Sequence, residues 1–242
     1  MHHTIDQLMR LLPTLRSFRV LQLFTIYTRY LIGVAFVFAA FNMGKFSGPW
    51  TPGFSAEQLE HIARMGGEVK PIGEIEPFFQ FWRVMATSGL YWKFIGASQV
   101  LAGALLMTQR FAKLGAMMFL GIITNIFVVT VAYSFDGTPV ITGLMLLAAV
   151  YLLAWDLDSF QPLFRSPDRV TRVEPESGWI SSPFWAWLGA LLVAVVTAEY
   201  MLGVNPFIQG CSVFVIGLVG LLIFLAGTLR ASRRMAGPRA LA

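Results

Sequence analysis

Leu114-Gly-Ala-Met-Met-Phe-Leu-Gly-Ile-Ile-Thr-Asn-Ile-Phe-Val-Val-Thr-Val-Ala132 contains no charged side chain and, taken from 112 to 134, is long enough to cross a bilayer as one helix. About 20 residues rising ~1.5 Å each span the ~30 Å of hydrocarbon. Further stretches of this kind run at 20–43, 91–109, 138–156, 182–203 and 208–229, which makes six in all. In lipid a backbone must satisfy its own N–H and C=O groups, and the helix is the structure in which a single segment does so. The sequence therefore predicts an all-α integral membrane protein with six transmembrane helices. The whole composition agrees: of 242 residues 56% are hydrophobic and 13% charged, with mean hydropathy +0.66. An ordinary soluble domain is about 25% charged.

A net charge of +5 and a pI near 9.7 are compatible with nucleic-acid binding, but the basic residues gather at one end of the spans. Arg10, Arg16 and Arg19 precede span one, Arg110 and Lys113 join spans two and three, and Arg165, Arg169 and Arg172 lie between four and five. Arg230, Arg233, Arg234 and Arg239 follow span six. The positive-inside rule accounts for this pattern and predicts a multi-pass protein of a bacterial-type inner membrane, both termini cytoplasmic, with the bilayer and no nucleic acid as its environment. Met1–Arg19 is polar and basic, and the first apolar run is a full span with no small-residue cleavage site after it, so no secretory signal is expected.

Residues 1–20 form a cytoplasmic lead in which Leu8, Met9, Leu11, Leu12 and Leu15 alternate with Arg10 and Arg16, the pattern of an interfacial helix interrupted by Pro13. Residues 21–156 hold the first four spans, 157–178 a polar linker, 179–230 an added pair of spans, and 231–242 a cytoplasmic tail. The external connection 46–90 is too long for a turn. Within it Ser55-Ala-Glu-Gln58 is a capping box that opens a short helix over 55–65, stopped by Gly66-Gly67. The aromatic run Phe78-Phe-Gln-Phe-Trp-Arg-Val-Met85 reads as a lid over the outer end of the bundle, or equally as an anchor to headgroups.

The chemistry available is narrow. Cys211 stands alone and reads as packing, so no intramolecular disulfide or dithiol relay is possible. His2, His3 and His61 lie outside the spans, which excludes a bis-histidine haem within the bundle. No Walker A loop, nucleophile elbow, zinc-ligand set or Rossmann glycine pattern occurs, and no metal is expected.

What remains is a small set of polar side chains inside apolar runs, and such residues normally face a bundle interior or a watery cavity. Helical rise places Gln99 roughly 12 Å and Asn125 roughly 13 Å below the outer edge, on sequential antiparallel spans. At matching depth the two amides are able to pair or to share a ligand carbonyl, with plain interhelical bonding as the alternative. Asn42 and Lys45 lie at the outer mouth just above them. Arg29, ~24 Å of helix from Lys45, belongs to the inner half, where Asp156 offers an ion pair and a ligand carbonyl is the alternative. Glu199 sits at outer-leaflet depth, with Lys45 or Arg83 as expected partners. Gly96, Gly103, Gly115 and Gly121, with neighbouring alanines, permit close helix packing.

Arg29-Tyr-Leu-Ile-Gly33, Gly44-Lys-Phe46, Gly96-Ala-Ser-Gln-Val-Leu-Ala-Gly103, Arg110, Met117-Met118 and Asn125 together resemble the DoxX-like family over residues 27–156. That resemblance implies a four-helix membrane bundle, here extended by a C-terminal helix pair. It further implies a membrane subunit of a redox system, a possible quinone-interacting oxidoreductase component. Such a subunit binds a quinone-like or lipid ligand among its helices, with no covalent cofactor and with electrons supplied by a partner protein. Gln99, Asn125, Asn42, Lys45 and Arg29 are the candidate ligand-binding residues; no catalytic residue is assigned. The chain departs from the family in carrying Gln99 where members often have Glu, which removes a titratable group. The competing class is a small transporter or an assembly scaffold without redox chemistry, although no inverted repeat or paired Gly/Pro break marks a transport pathway.

Overall fold

The computed structural model describes residues 12–46, 77–133, 137–161 and 178–236, and among these it is helical with no strand. Six helices are long and apolar enough to cross a membrane: α1 (Arg19–Asn42), α3 (Leu90–Met107), α4 (Ala112–Ala132), α5 (Thr138–Trp155), α6 (Pro183–Met201) and α7 (Pro206–Ala236). The chain is thus an all-α multi-pass membrane protein, with each span within a few residues of its expected place. A shorter helix, α2 (Pro77–Thr87), precedes α3. The expected 55–65 helix lies outside the described residues.

The helix ends follow from local chemistry. Gly44 adopts φ +65°, the left-handed conformation that closes a helix C-terminus, while the Met43 and Gly44 amides bond back to Ala39 and Phe41. Ser182 and Asn205 cap α6 and α7, accepting from the amides of Phe184 (3.4 Å) and Phe207 (2.8 Å), and each is followed by a proline at the first helical position.

Packing in lipid cannot draw on a hydrophobic driving force between helices, so contact quality decides which faces meet. Helices α1 and α3 pack most closely, because Gly33 and Gly103 oppose each other: a Cβ on Gly103 would lie 2.5 Å from the Gly33 carbonyl oxygen. Around this contact α1, α3, α4 and α5 form a four-helix core filled by Ile32, Phe36, Leu106, Phe119, Ile123 and Leu152, with the rings of Phe36 and Phe119 3.9 Å apart. Helix α6 packs on the other side of α1 and on the end of α3 through Trp185, Leu188, Leu192 and Val196. Tyr30 donates to the Trp185 carbonyl, and Tyr27 reaches α7 with a 2.8 Å bond to the Gly217 carbonyl.

One end of the bundle collects the start of α1, the α3–α4 turn, the end of α5 and the start of α6; the other holds Lys45, α2 and the α6–α7 turn. These are called the terminal end and the loop end below. Residues 12–17 are helical, and Arg16 fastens them to the end of α5 through a two-pronged pair with Asp158 at 2.6 and 2.7 Å. Leu15, Phe18 and Val20 remain exposed, which suits the interface expected of this lead.

Candidate functional site

The polar residues sort into two groups. At the terminal end, Arg29 projects from α1 between two helix C-termini. Its guanidinium donates to Asp156 Oδ2 at 3.0 Å, just past α5, and to Gln109 Oε1 at 2.9 Å, just past α3. A cation there complements the partial negative charge of both helix ends. Lys113 approaches Asp156 Oδ1 at 3.9 Å and donates to Ser159 at 2.6 Å, and Arg16 also donates to the Trp155 carbonyl. Burial works against the Asp158 carboxylate, yet Arg16 and Lys113 outweigh it and hold the group below the ordinary aspartate range. Arg29 is 1% exposed, and its contacts with Asp156 and Gln109 join α1 to the ends of α5 and α3.

The loop end is different. Gly44 turns the chain so that Lys45 folds back over the end of α1, where its ammonium donates to the Ala39 carbonyl at 3.2 Å. The side chain runs across Gly96 of α3, where a Cβ would lie 2.8 Å from Lys45 Cβ; only glycine leaves that passage open. The ammonium lies 5.0 Å from the ring of Trp92 and 5.5 Å from that of Trp82, whose rings meet edge to face at 5.0 Å. Lys45 is 0% exposed, and no carboxylate among the described residues pairs with it. Burial pulls its pKa down from an ordinary 10.5 to about 7. Helix α2 supplies Trp82, and its Phe81 ring lies 5.5 Å from that of Tyr133 at the end of α4. Phe81 and Trp82 thus bring α2 against the loop end of the bundle, a placement compatible with the lid and with the headgroup anchor alike.

Gln99 lies one turn deeper than Gly96 on the same face of α3. It is 3% exposed, and its Oε1 has no hydrogen-bond partner among the described residues. Lys93, also buried, donates to the Phe46 carbonyl at 3.4 Å on the same side. The site is thus a strip of α3 facing the end of α1, with an ammonium between indole rings above and an unmatched amide oxygen below. A buried acceptor without a donor is costly and calls for a hydroxyl, an N–H or water.

Of the expected site residues, Lys45 and Gln99 come to one strip. Asn42 does not join them; it turns toward α7 and donates to Gln209 Oε1 at 3.1 Å, while Gln209 donates to the Val204 carbonyl at 2.8 Å. Arg29 stands in the terminal cluster, paired with Asp156 as one alternative anticipated. Asn125 is exposed on α4, so the expected amide pair with Gln99 does not form: equal depth did not carry equal facing. Glu199 does not pair with Lys45, and the side chain of Arg83, its other expected partner, lies outside those described. Glu199 accepts from Ser212 of α7 at 2.9 Å, because α6 meets the flank of α1 away from the indoles that enclose Lys45. Cys211 is exposed rather than packed. Sequence reasoning missed Gln109, Gln209 and Lys93, which sit at span ends where a polar side chain raises no alarm. No group of metal-binding side chains occurs among the described residues.

No family model matches the chain, and no solved structure matches it. Among curated proteins it is similar to the uncharacterised protein YwoB of Bacillus subtilis (strain 168), with 37% identity over 105 residues. The match takes in 41% of this chain and 66% of the relative, a little under two thirds of that protein's length.

Proposed function

We propose that this protein is a membrane subunit of a redox system, of the DoxX-like kind, that holds a quinone-like or lipid ligand at the loop end of its bundle while a partner protein supplies the electrons. The reading places the loop end on the outer face of a bacterial-type inner membrane, with the basic terminal end cytoplasmic. The observation that carries it is Gln99 Oε1, unmatched among the described residues, one turn below Lys45, whose ammonium lies against two indoles with no carboxylate partner among those residues. A ligand carbonyl is a suitable acceptor for the ammonium, a ligand hydroxyl a suitable donor to the amide oxygen, and Trp82 and Trp92 a suitable wall for a flat ring. A bound quinone would supply two-electron chemistry; the residues of this chain bind and orient it and keep water out.

The test is a titration of the purified protein in nanodiscs with a short-chain quinone, read by quenching of tryptophan fluorescence, alongside solvent extraction and mass analysis of lipids that co-purify. Saturable quenching is expected, weakened about tenfold for each of Lys45→Met and Gln99→Leu, since a buried hydrogen bond contributes on the order of 1.4 kcal/mol. A co-purifying lipid without quinone quenching would favour the scaffold or transporter class, and unsaturable quenching in every variant would dispose of the ligand site.

A further inference from the structure

Among the described residues Asn125 has no hydrogen-bond partner. It lies on α4 seven residues before Ala132, roughly 10 Å inside the loop-end boundary, and its side chain is exposed. Among the described residues it is the one exposed amide inside a membrane span. Its neighbour Thr124 is exposed as well, but the hydroxyl bonds the Leu120 carbonyl at 2.7 Å and so is satisfied within the helix. The Asn125 amide makes no such bond, and at that depth neither water nor a lipid tail offers one. The other outward surfaces are apolar, as lipid requires: Val140, Leu144 and Leu147 on α5, and Phe214, Leu218 and Leu222 on α7.

The surface around Asn125 suits close approach by another helix. Gly121, four residues earlier on the same stripe, has open space where a Cβ would be. Met117 and Val128 flank the pair above and below and are exposed. We propose that this face of α4 is the contact between two copies of the chain, related by a two-fold axis along the membrane normal. The amide chooses the occupant. Two copies inserted the same way hold Asn125 at identical depth, and each amide offers one acceptor and two donors, so each copy satisfies the other across the axis. Gly121 allows the backbones to come close enough for those bonds. The surface is the outward face of α4, apart from the α1–α3 strip that holds Lys45 and Gln99.

The experiment uses the full chain with Cys211→Ser, fluorescently labelled and reconstituted in phospholipid vesicles at a series of protein-to-lipid ratios, with stoichiometry counted by single-molecule photobleaching. Two-step bleaching at higher density is expected. Asn125→Leu should weaken association by on the order of tenfold, while Asn125→Gln, which keeps the amide, should retain most of it. In the same background Gly121→Cys should form an intermolecular disulfide under mild oxidation, and Leu147→Cys on α5 should not. One-step bleaching at every density, undiminished association of Asn125→Leu, or equal cross-linking through Leu147→Cys would each overturn the proposal. The cross-linking comparison stands even if Asn125→Leu fails to fold.

Discussion

Arg29 Nη2 and Asp156 Oδ2, 127 residues apart in the chain, lie 3.0 Å from each other with both side chains all but closed to solvent. The pair joins the middle of α1 to the end of α5, and through Gln109 it also holds the α3–α4 turn. Its two members are not equivalent. A carboxylate is able to take up a proton, and Asp156 has Lys113 at 3.9 Å as a second cation; a guanidinium cannot shed its charge.

Asp156→Leu is therefore expected to destabilise more than Arg29→Met. Removing one partner of a buried pair costs about 3–5 kcal/mol, and the loss for Asp156→Leu belongs at the upper end of that range. The double variant should recover part of the loss, because no uncompensated charge is left behind. Thermal unfolding in detergent, followed by circular dichroism, reads all three. Equal losses for the two single variants would mean that Lys113 contributes nothing to Asp156.

Gly103→Ala should loosen the α1–α3 seam. The new methyl would meet the Gly33 carbonyl at 2.5 Å and Val37 Cγ2 at 2.9 Å, and both belong to a packed helix that cannot yield without moving the whole element. Overpacking of this kind costs about 1–3 kcal/mol. Gly210→Ala, in open space on α7, is the control and should be neutral or stabilising by up to ~1 kcal/mol, the helix preference of alanine over glycine. The two variants compared by melting temperature decide the matter.

These contrasts bear on what was readable in the sequence. Every span was legible, because lipid forces long uninterrupted apolar runs into helices: 112–134 was expected where Ala112–Ala132 is found. Position along a helix was legible too, since it follows from counting: Gln99 lies nine residues after Leu90 and Asn125 seven before Ala132. Facing was not. A soluble helix advertises its inner face by polarity, whereas a membrane helix is apolar on both sides, and successive residues turn by about 100°. Gln99 and Asn125 share a depth, yet one faces α1 and the other faces outward. Small residues guided only in part: Gly33, Gly96 and Gly103 mark the α1–α3 seam, with Lys45 across one of them, whereas Gly121, expected to pack closely, faces outward with open space beside it. Gln109 was hidden for another reason. It takes φ +59°, uncommon for a side chain other than glycine, and that turn brings its amide back under Arg29.

Gln99→Leu should stabilise the ligand-free protein. An amide oxygen buried without a donor costs about 1–3 kcal/mol, and leucine has a similar volume with nothing to satisfy. The gain is expected in delipidated protein and should shrink in protein carrying its native lipid extract, where a ligand hydroxyl meets the oxygen. A melting temperature lowered equally in both preparations would show that Gln99 supports the fold and takes no ligand.

Lys45→Met should also stabilise, with a pH dependence that identifies the cause. Burial lowers the folded-state pKa of Lys45 from 10.5 to about 7. Between those two values the unfolded chain holds a proton that the folded chain lacks, so the contribution of this residue to stability rises with pH across that window. Below about pH 7 both states are protonated, and the folded protein bears the full cost of an enclosed ammonium, offset in part by the Ala39 carbonyl and the indole faces of Trp82 and Trp92. The advantage of Lys45→Met over wild type is accordingly greatest at pH 6 and diminishes toward pH 9, by no more than about 1.4 kcal/mol per pH unit. Melting curves of both proteins at pH 6, 7.5 and 9, without ligand, provide the measurement. A difference that stays constant with pH would mean that the two indoles and the helix end hold the ammonium charged throughout, and that burial there carries no net penalty.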